Sequence, residues 1–282
     1  AVFGSYKDFV PNHYILGYHI VSKARNKYGT EIWNHTVDKV GKRPYMIVPF
    51  SKGIRDISGK NKTTLYRDLM KELKSEWATQ SDEVPFFSKL EILSPQKEIF
   101  TQYIRPHQTG RGSIIAEKRA LDDIPRFVEI DREGNETVIH TPGYYFSGSL
   151  TYAKNLVAWT EYAYDPRWEN RNFAVVKILD LETGKIRILK KKTRYFAPAL
   201  SHDGQKIAVV EVTENQQYKL VVLETKTGET LFETQTPQNE CLSYPSFDDS
   251  GTKITATAIS DQGNRIIIAD AETGSLAYHT DA

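Results

Sequence analysis

The densest run of reactive side chains in this 282-residue chain is Glu161 to Asn172, reading Glu-Tyr-Ala-Tyr-Asp-Pro-Arg-Trp-Glu-Asn-Arg-Asn. It holds three carboxylates, two arginines, two tyrosines and a tryptophan. Two chemistries suit such a set. Asp165, Arg167, Trp168, Glu169 and Arg171 are candidate binding residues, because tryptophan and arginine dominate the energetics of interfaces. The blander reading is an Asp/Arg network that ties neighbouring scaffold elements, with Trp168 capping a core. That is the commoner fate of loop ion pairs.

No catalytic set stands out elsewhere. Asp122-Asp123 and Asp248-Asp249 lie in turn-like contexts, where aspartate bonds its own backbone. There is no Gly-x-Ser-x-Gly elbow to present a nucleophile. Gly110-Arg-Gly-Ser113 lacks the Gly-Lys-Ser/Thr ending of a phosphate loop. None of the seven histidines is followed by Glu, and no two are four apart, so no His-Glu-x-x-His zinc motif exists. Cys241 is the only cysteine, which excludes an intrachain disulfide and a cysteine-based metal site; leading into a strand, it reads as a buried thiol. The expectation is a chain with no catalytic residue, no metal and no cofactor.

The elements that must carry the 161–172 stretch are read from a repeat. Asp180-Leu-Glu-Thr-Gly184, Glu224-Thr-Lys-Thr-Gly228 and Asp270-Ala-Glu-Thr-Gly274 each follow an apolar strand, and Asp131-Arg-Glu-Gly134 is a degenerate fourth copy. An acidic residue opening the turn and a glycine closing it is hairpin chemistry. The closing glycines are 50, 44 and 46 residues apart. A second motif runs in phase: Ala197-Pro-Ala-Leu-Ser-His-Asp-Gly204 and Tyr244-Pro-Ser-Phe-Asp-Asp-Ser-Gly251 each precede a strand, with Gly148 to Asn155 in the corresponding place one repeat earlier. A period of 40–50 residues with about four strands each means β-propeller blades. The 161–172 stretch then falls between the strands Leu156–Thr160 and Phe173–Leu179 of one blade.

Residues 1–80 read as a helical segment, 81–97 as a junction with Pro85 and Pro95, and 98–282 as blades. In the helical part, Asn12 and Thr30 are candidate caps and Gly29 a stop. Trp33, Val37 and Val40 share one face, and Leu65, Leu69, Leu73 and Trp77 form a core stripe on a helix starting at Thr63 or Thr64. The two prolines of Arg43–Phe50 read as extended connection. Residues 1–80 carry 14 Lys/Arg against 7 Asp/Glu and the rest 23 against 29, an asymmetry that supports two domains. No apolar run approaches a membrane span, and no basic stripe interleaved with aromatics points to nucleic acid.

Pro198 to Ala208, in the pattern Pro-x-x-Ser-x-Asp-Gly-x-Lys-Ile-Ala, together with the Asp-x-x-Thr-Gly hairpins, resembles the blade signature of TolB-like and WD-repeat-like propellers of bacterial envelope proteins. The resemblance covers roughly residues 98–280. It implies a periplasmic or outer-membrane-associated, non-catalytic module that binds protein, peptide or glycan. Residues 11–78, with Pro11 to Tyr18, Lys27 to Trp33 and Leu73 to Trp77, resemble the helical tail of a gluzincin-type metallopeptidase domain. That implies an alternative, the C-terminal part of a zinc peptidase-like hydrolase whose metal site lies upstream of Ala1. Four repeats are few for a closed ring, so an incomplete propeller from a longer protein is expected.

Overall fold

A computed structural model describes residues 13–43, 45–83 and 99–280. The chain divides into two compact units, Ala1–Glu91 and Ile92–Ala282. The expected junction 81–97 and the cap Asn12 lie, for residues 84–97 and 12, outside the described residues.

The first unit is helical: α1 (His13–Tyr28), α2 (Glu31–Lys42), α3 (Pro49–Ser58) and α4 (Lys62–Glu83). Its core is Ala24, Ile32, Ile54, Leu65 and Leu69. Gly29 ends α1 in the left-handed conformation, its N–H reaching Arg25 O at 2.8 Å. Asn61 caps α4 through the Thr64 amide at 2.9 Å. Leu73 is buried with Leu65 and Leu69, whereas Trp77 is half-exposed and meets His19 edge-on at 5.3 Å.

Three helical expectations need correction. Thr30 stands ahead of α2 but is itself helical (φ −64°, ψ −27°) and makes no capping bond with its side chain. The buried pair of α2 is Ile32 and Thr36, while Val37 is exposed. The reason is close approach: a Cβ added at Gly53 of α3 would stand 2.7 Å from Thr36 Cα, so the helices touch where both side chains are small. Finally, Pro49 does not continue an extended connection. It opens α3 at the first helical position, where its missing N–H would have had no partner.

In the second unit, strands buried on both faces in the middle blades and alternating in β14 of blade 4 build four sheets, each a four-stranded antiparallel meander. Blade 1 comprises β1 (Thr101–Gln108), β2 (Ile114–Ala120), β3 (Arg126–Ile130) and β4 (Glu136–His140). Blade 2 comprises β5 (Thr151–Ala153), β6 (Leu156–Tyr164), β7 (Asn172–Asp180) and β8 (Ile186–Ile188). Blade 3 comprises β9 (Tyr195–Leu200), β10 (Lys206–Val212), β11 (Tyr218–Glu224) and β12 (Thr230–Gln235). Blade 4 comprises β13 (Cys241–Phe247), β14 (Lys253–Ser260), β15 (Gly263–Asp270) and β16 (Leu276–Tyr278). Cys241, expected as a buried thiol, is half-buried at the start of β13 because it stands at a strand end.

The repeated turns behave as their residues dictate. Asp180 Oδ1 accepts the amides of Glu182 and Thr183 at 2.9 and 3.0 Å, and Asp270 Oδ1 those of Glu272 and Thr273 at 3.0 and 2.7 Å. These bonds, with backbone bonds the largest contribution, hold both carboxyls below the usual carboxylate range. Gly184, Gly228 and Gly274 close the turns at φ +66°, +76° and +73°. In the first strand of each blade a left-handed residue breaks the ladder: Arg105, Ala197 and Tyr244, each followed by proline, with Gly148 at the corresponding place in blade 2. A bulge suits this position, since proline has no N–H to give to a ladder.

Both faces of the middle blades are buried. One core joins blades 1 and 2 (Ile115, Phe127, Leu150, Val157, Trp159, Leu179). A second joins blades 2 and 3 through residues such as Val176, Ile178, Ile207, Val209 and Leu223. A third joins blades 3 and 4 through Val210, Leu220, Val222, Ile254 and Ile267. A closed ring needs one core per blade. Among the described residues no fourth core joins blade 4 to blade 1, so the propeller is an open arc. Arg105 of β1 donates through Nε to Gly148 O, at the start of blade 2, at 2.9 Å, and its guanidinium lies 5.4 Å from the ring centre of Tyr244 in blade 4.

Candidate functional site

The strands β6 and β7 pair from Leu156↔Asp180 to Tyr164↔Asn172, four residues further than the alternating pattern suggests. The reactive stretch is therefore shorter as a loop. Glu161 to Tyr164 belong to the sheet, and residues 165–171 make the tip.

Asp165 organises that tip. Its Oδ1 accepts the Arg167 amide at 2.9 Å and the Trp168 amide at 3.3 Å, and its own N–H donates to Arg171 O at 3.1 Å. Arg171 N closes a further turn on Trp168 O at 2.9 Å. Trp168 is 61% exposed, so it does not cap a core. A groove of about 510 Å³ runs beneath it, lined by Pro166, Phe173, Val175, Ile188 and the connector residues Lys191 and Lys192. Asp165, Arg167 and Trp168 border this groove; Glu169 and Arg171 do not. Arg171 turns instead towards Phe173 (5.5 Å) and Glu214 of blade 3, 4.0 Å away and exposed, a pair worth about 0–1 kcal/mol. The tip thus presents an indole on a fixed turn, over an apolar floor, beside Arg167, Lys191 and Lys192. On the other face of the hairpin, Tyr162 stacks on Tyr144 at 4.5 Å and on Phe146 at 4.0 Å.

Glu161, grouped with the loop by its neighbours in sequence, is buried. Its carboxylate accepts Trp159 Nε1 at 2.6 Å, Lys177 Nζ at 2.6 Å and the Gly143 amide at 3.3 Å. Burial pushes its pKa up, but the Lys177 and Trp159 bonds outweigh that and hold it below the usual carboxylate range. Glu117, fully buried on β2, accepts Tyr145 Oη (2.6 Å), Ser147 Oγ (3.0 Å), the Gly148 amide (2.9 Å) and Arg119 Nε (2.7 Å). The pressure on Tyr145, from burial and then Glu117, drives its phenol well above the ordinary range. Both carboxylates are fully committed to fixing the connector between blades 1 and 2.

A cleft of about 580 Å³ opens at the other end of the strands, between the β1–β2 turn of blade 1 and the β5–β6 and β7–β8 turns of blade 2. Nothing in the spacing of its residues marks it, since they come from six separate segments, His202 in the β9–β10 turn of blade 3 among them. Arg111 and Glu129 line it from blade 1, Lys154 and Glu182 from blade 2. Burial, offset in part by a bond to Leu150 O at 3.4 Å, holds His107 below the ordinary histidine range. Tyr152 is raised by burial and by the Glu129 charge, opposed by that of Arg111. Among the described residues no group of three or more His, Cys, Asp or Glu side chains is arranged to hold a metal ion. No helix among them is long and apolar enough to cross a membrane.

No family model and no curated protein matches the chain. Solved structures do. A putative TolB from Agrobacterium tumefaciens is 12% identical with a TM-score of 0.49, over 64% of this chain and 62% of that one. TolB from Acinetobacter baumannii is 18% identical with a TM-score of 0.36, over 66% and 55%. The β-propeller domain of the Trilobed protease from Pyrococcus furiosus is 15% identical with a TM-score of 0.41, over 64% and 57%. The chain spans less than two thirds of each of these. What makes this unit propeller-like is its own four sheets and their spacing; TolB and protease propellers are what it is similar to.

Proposed function

We propose that the blades form a non-catalytic binding module of a cell-envelope protein, and that the β6–β7 tip of blade 2 receives an extended protein or peptide segment. The observation that carries this reading is Trp168, more than half exposed on a turn that Asp165 holds rigid, above an apolar groove. Leaving an indole in water is unfavourable, and a pre-ordered aromatic side chain loses little entropy on binding. Arg167, Lys191 and Lys192 around the groove select a segment with acidic residues beside an apolar anchor. Glu169 and Arg171, in the tip but outside the groove, contact only what extends past it. The envelope setting is supported by the resemblance of Pro198–Ala208 to the blades of envelope propellers.

The test is selection of a random peptide library displayed on phage against the full chain. Selected peptides should carry acidic residues beside an aliphatic or aromatic anchor. They should lose at least about tenfold in affinity against Trp168→Ala, as a central aromatic anchor does. Binders indifferent to both Trp168→Ala and Arg167→Ala, or no saturable binder at all, would overturn the assignment.

A further inference from the structure

We propose that the cleft between blades 1 and 2 binds a small zwitterion, an amino acid or short peptide with free termini. The cleft lies at the opposite end of β6 from Trp168, since Asn155 and Tyr164 bound that nine-residue strand. The proposal is therefore independent of the tip.

The argument rests on how the charges are distributed and what occupies them. Each wall supplies one cation and one carboxylate: Arg111 with Glu129 from blade 1, Lys154 with Glu182 from blade 2. Neither cation enters an ion pair among the described residues. Each carboxylate is engaged at one oxygen by a neutral donor, Ser113 Oγ on Glu129 Oε1 and Asn155 Nδ2 on Glu182 Oε1, both at 2.5 Å. Those bonds orient the carboxylates and leave the second oxygen of each without a hydrogen bond among the described residues.

This balance decides the ligand class. A simple anion would meet two cations and two carboxylates at once, and attraction and repulsion would largely cancel; a simple cation fares no better. A dipolar ligand can turn its carboxylate to Arg111 and Lys154 and its ammonium to Glu129 and Glu182. Between the charges, Ile139, Leu181 and the Tyr152 ring offer apolar walls. The volume, about 580 Å³, is that of a small-molecule site rather than a protein interface.

The experiment is titration calorimetry of the full chain with L-leucyl-L-leucine, its N-acetylated form and its C-terminal amide. The free dipeptide should bind saturably, and blocking either terminus should weaken it by roughly tenfold or more. That comparison needs no variant and so cannot be lost to misfolding. In a second arm, Arg111→Ala with Lys154→Ala should remove the penalty for the amide. Glu129→Gln with Glu182→Gln should remove the penalty for acetylation. Trp168→Ala should leave all three affinities unchanged, so failure here and failure at the tip can be told apart. Equal binding of the three ligands, or no heat up to about 10 mM, would overturn the proposal.

Discussion

The interface between blades 1 and 2 and that between blades 3 and 4 occupy equivalent places in the repeat and are built from different materials. The fully buried side chains of the 3–4 core are aliphatic and small, alanines 199, 208, 256, 258, 269 and 271 interleaving with Val210, Leu220, Val222, Ile254 and Ile267, and half-buried Tyr218, Phe232, Phe247 and Tyr278 pack around them. The 1–2 core is aromatic and carries charge. Phe127 meets Trp159 edge-on at 5.2 Å, His140 lies 4.9 Å from the same indole, and Glu117 and Glu161 are buried beside them. The cause is in the first strand of each blade. In blade 4 that strand, β13, runs seven residues with its proline-marked bulge inside it. In blade 2 it is cut in two. Residues 144–146 pair with β6 through Phe146 N–Thr160 O and Tyr162 N–Tyr144 O, at 2.9 and 2.8 Å, then the chain leaves the ladder until β5 resumes for three residues. Backbone groups that lose a ladder need other partners. Glu117 and the β6 residue Glu161 supply them. The connector between blades 3 and 4 also holds a buried carboxylate, Glu240, which accepts Tyr278 Oη and the Gln238 amide; where the blade 2 ladder breaks, two buried carboxylates hold the chain.

The contrast can be broken in four ways. The largest effect is expected for Glu117→Ala, about 3–5 kcal/mol, because Arg119, Tyr145, Ser147 and the Gly148 amide lose a shared buried acceptor. Urea unfolding reads the loss. Hydrogen exchange should show the Gly148 amide opening before blade 3–4 amides do. Leu220→Ala, in the aliphatic core, should cost about 2–4 kcal/mol by leaving a cavity, with no selective opening of residues 144–149. If both variants open the same amides, the two interfaces are not distinct.

A smaller effect, about 1–3 kcal/mol, is expected for Trp159→Phe, which keeps the ring but leaves Glu161 short of one donor. The smallest is the part of the pH dependence that the 1–2 interface contributes. Burial holds His140 below its ordinary pKa, so the folded state resists its protonation, and the stability its neutral form contributes starts to fall as pH drops below about 6.5. Glu161 is also depressed; its contribution is full above the ordinary glutamate pKa and is lost as pH falls through its lower folded-state value. Unfolding of the parent chain should therefore weaken in two stages on acidification. Glu161→Gln should lose part of the lower stage, the rest coming from other depressed carboxylates such as Asp180, Asp270 and Glu240, and Leu220→Ala should retain both stages in full. A Leu220→Ala profile that is flat with pH would place the titrating groups elsewhere.

The architecture was legible because its signals are local. Asp180, Asp270 and the glycines closing their turns declare hairpins through bonds that span three or four residues, and their spacing declares blades. The first copy of the Pro-marked bulge, Arg105-Pro106, went unread because no Asp-Gly turn follows it; Thr109 and Gly112 make the corresponding turn, with Gly112 N on Thr109 O at 2.9 Å. Pro49 was misread because the same residue breaks a helix from within and opens one at its start. Glu161 was misread because a carboxylate beside Tyr, Asp and Arg looks like loop chemistry until Lys177 and Trp159, from other positions on the sheet, are seen to enclose it.

Sequence by itself determined the repeat, the acidic-to-glycine hairpin turns and the inner strands beside them, since each is encoded within about fifty residues by apolar runs and turn chemistry. It also determined that Asp165, Arg167 and Trp168 stand together, because they share one hairpin tip. Only the tertiary structure decided that the arc stays open between blades 4 and 1 and that two buried carboxylates replace a missing ladder. It alone gathered Arg111, Glu129, Lys154 and Glu182 around one cleft. Those depend on which side chains from distant repeats converge, and burial converts an ordinary surface residue into a structural one only once that convergence exists.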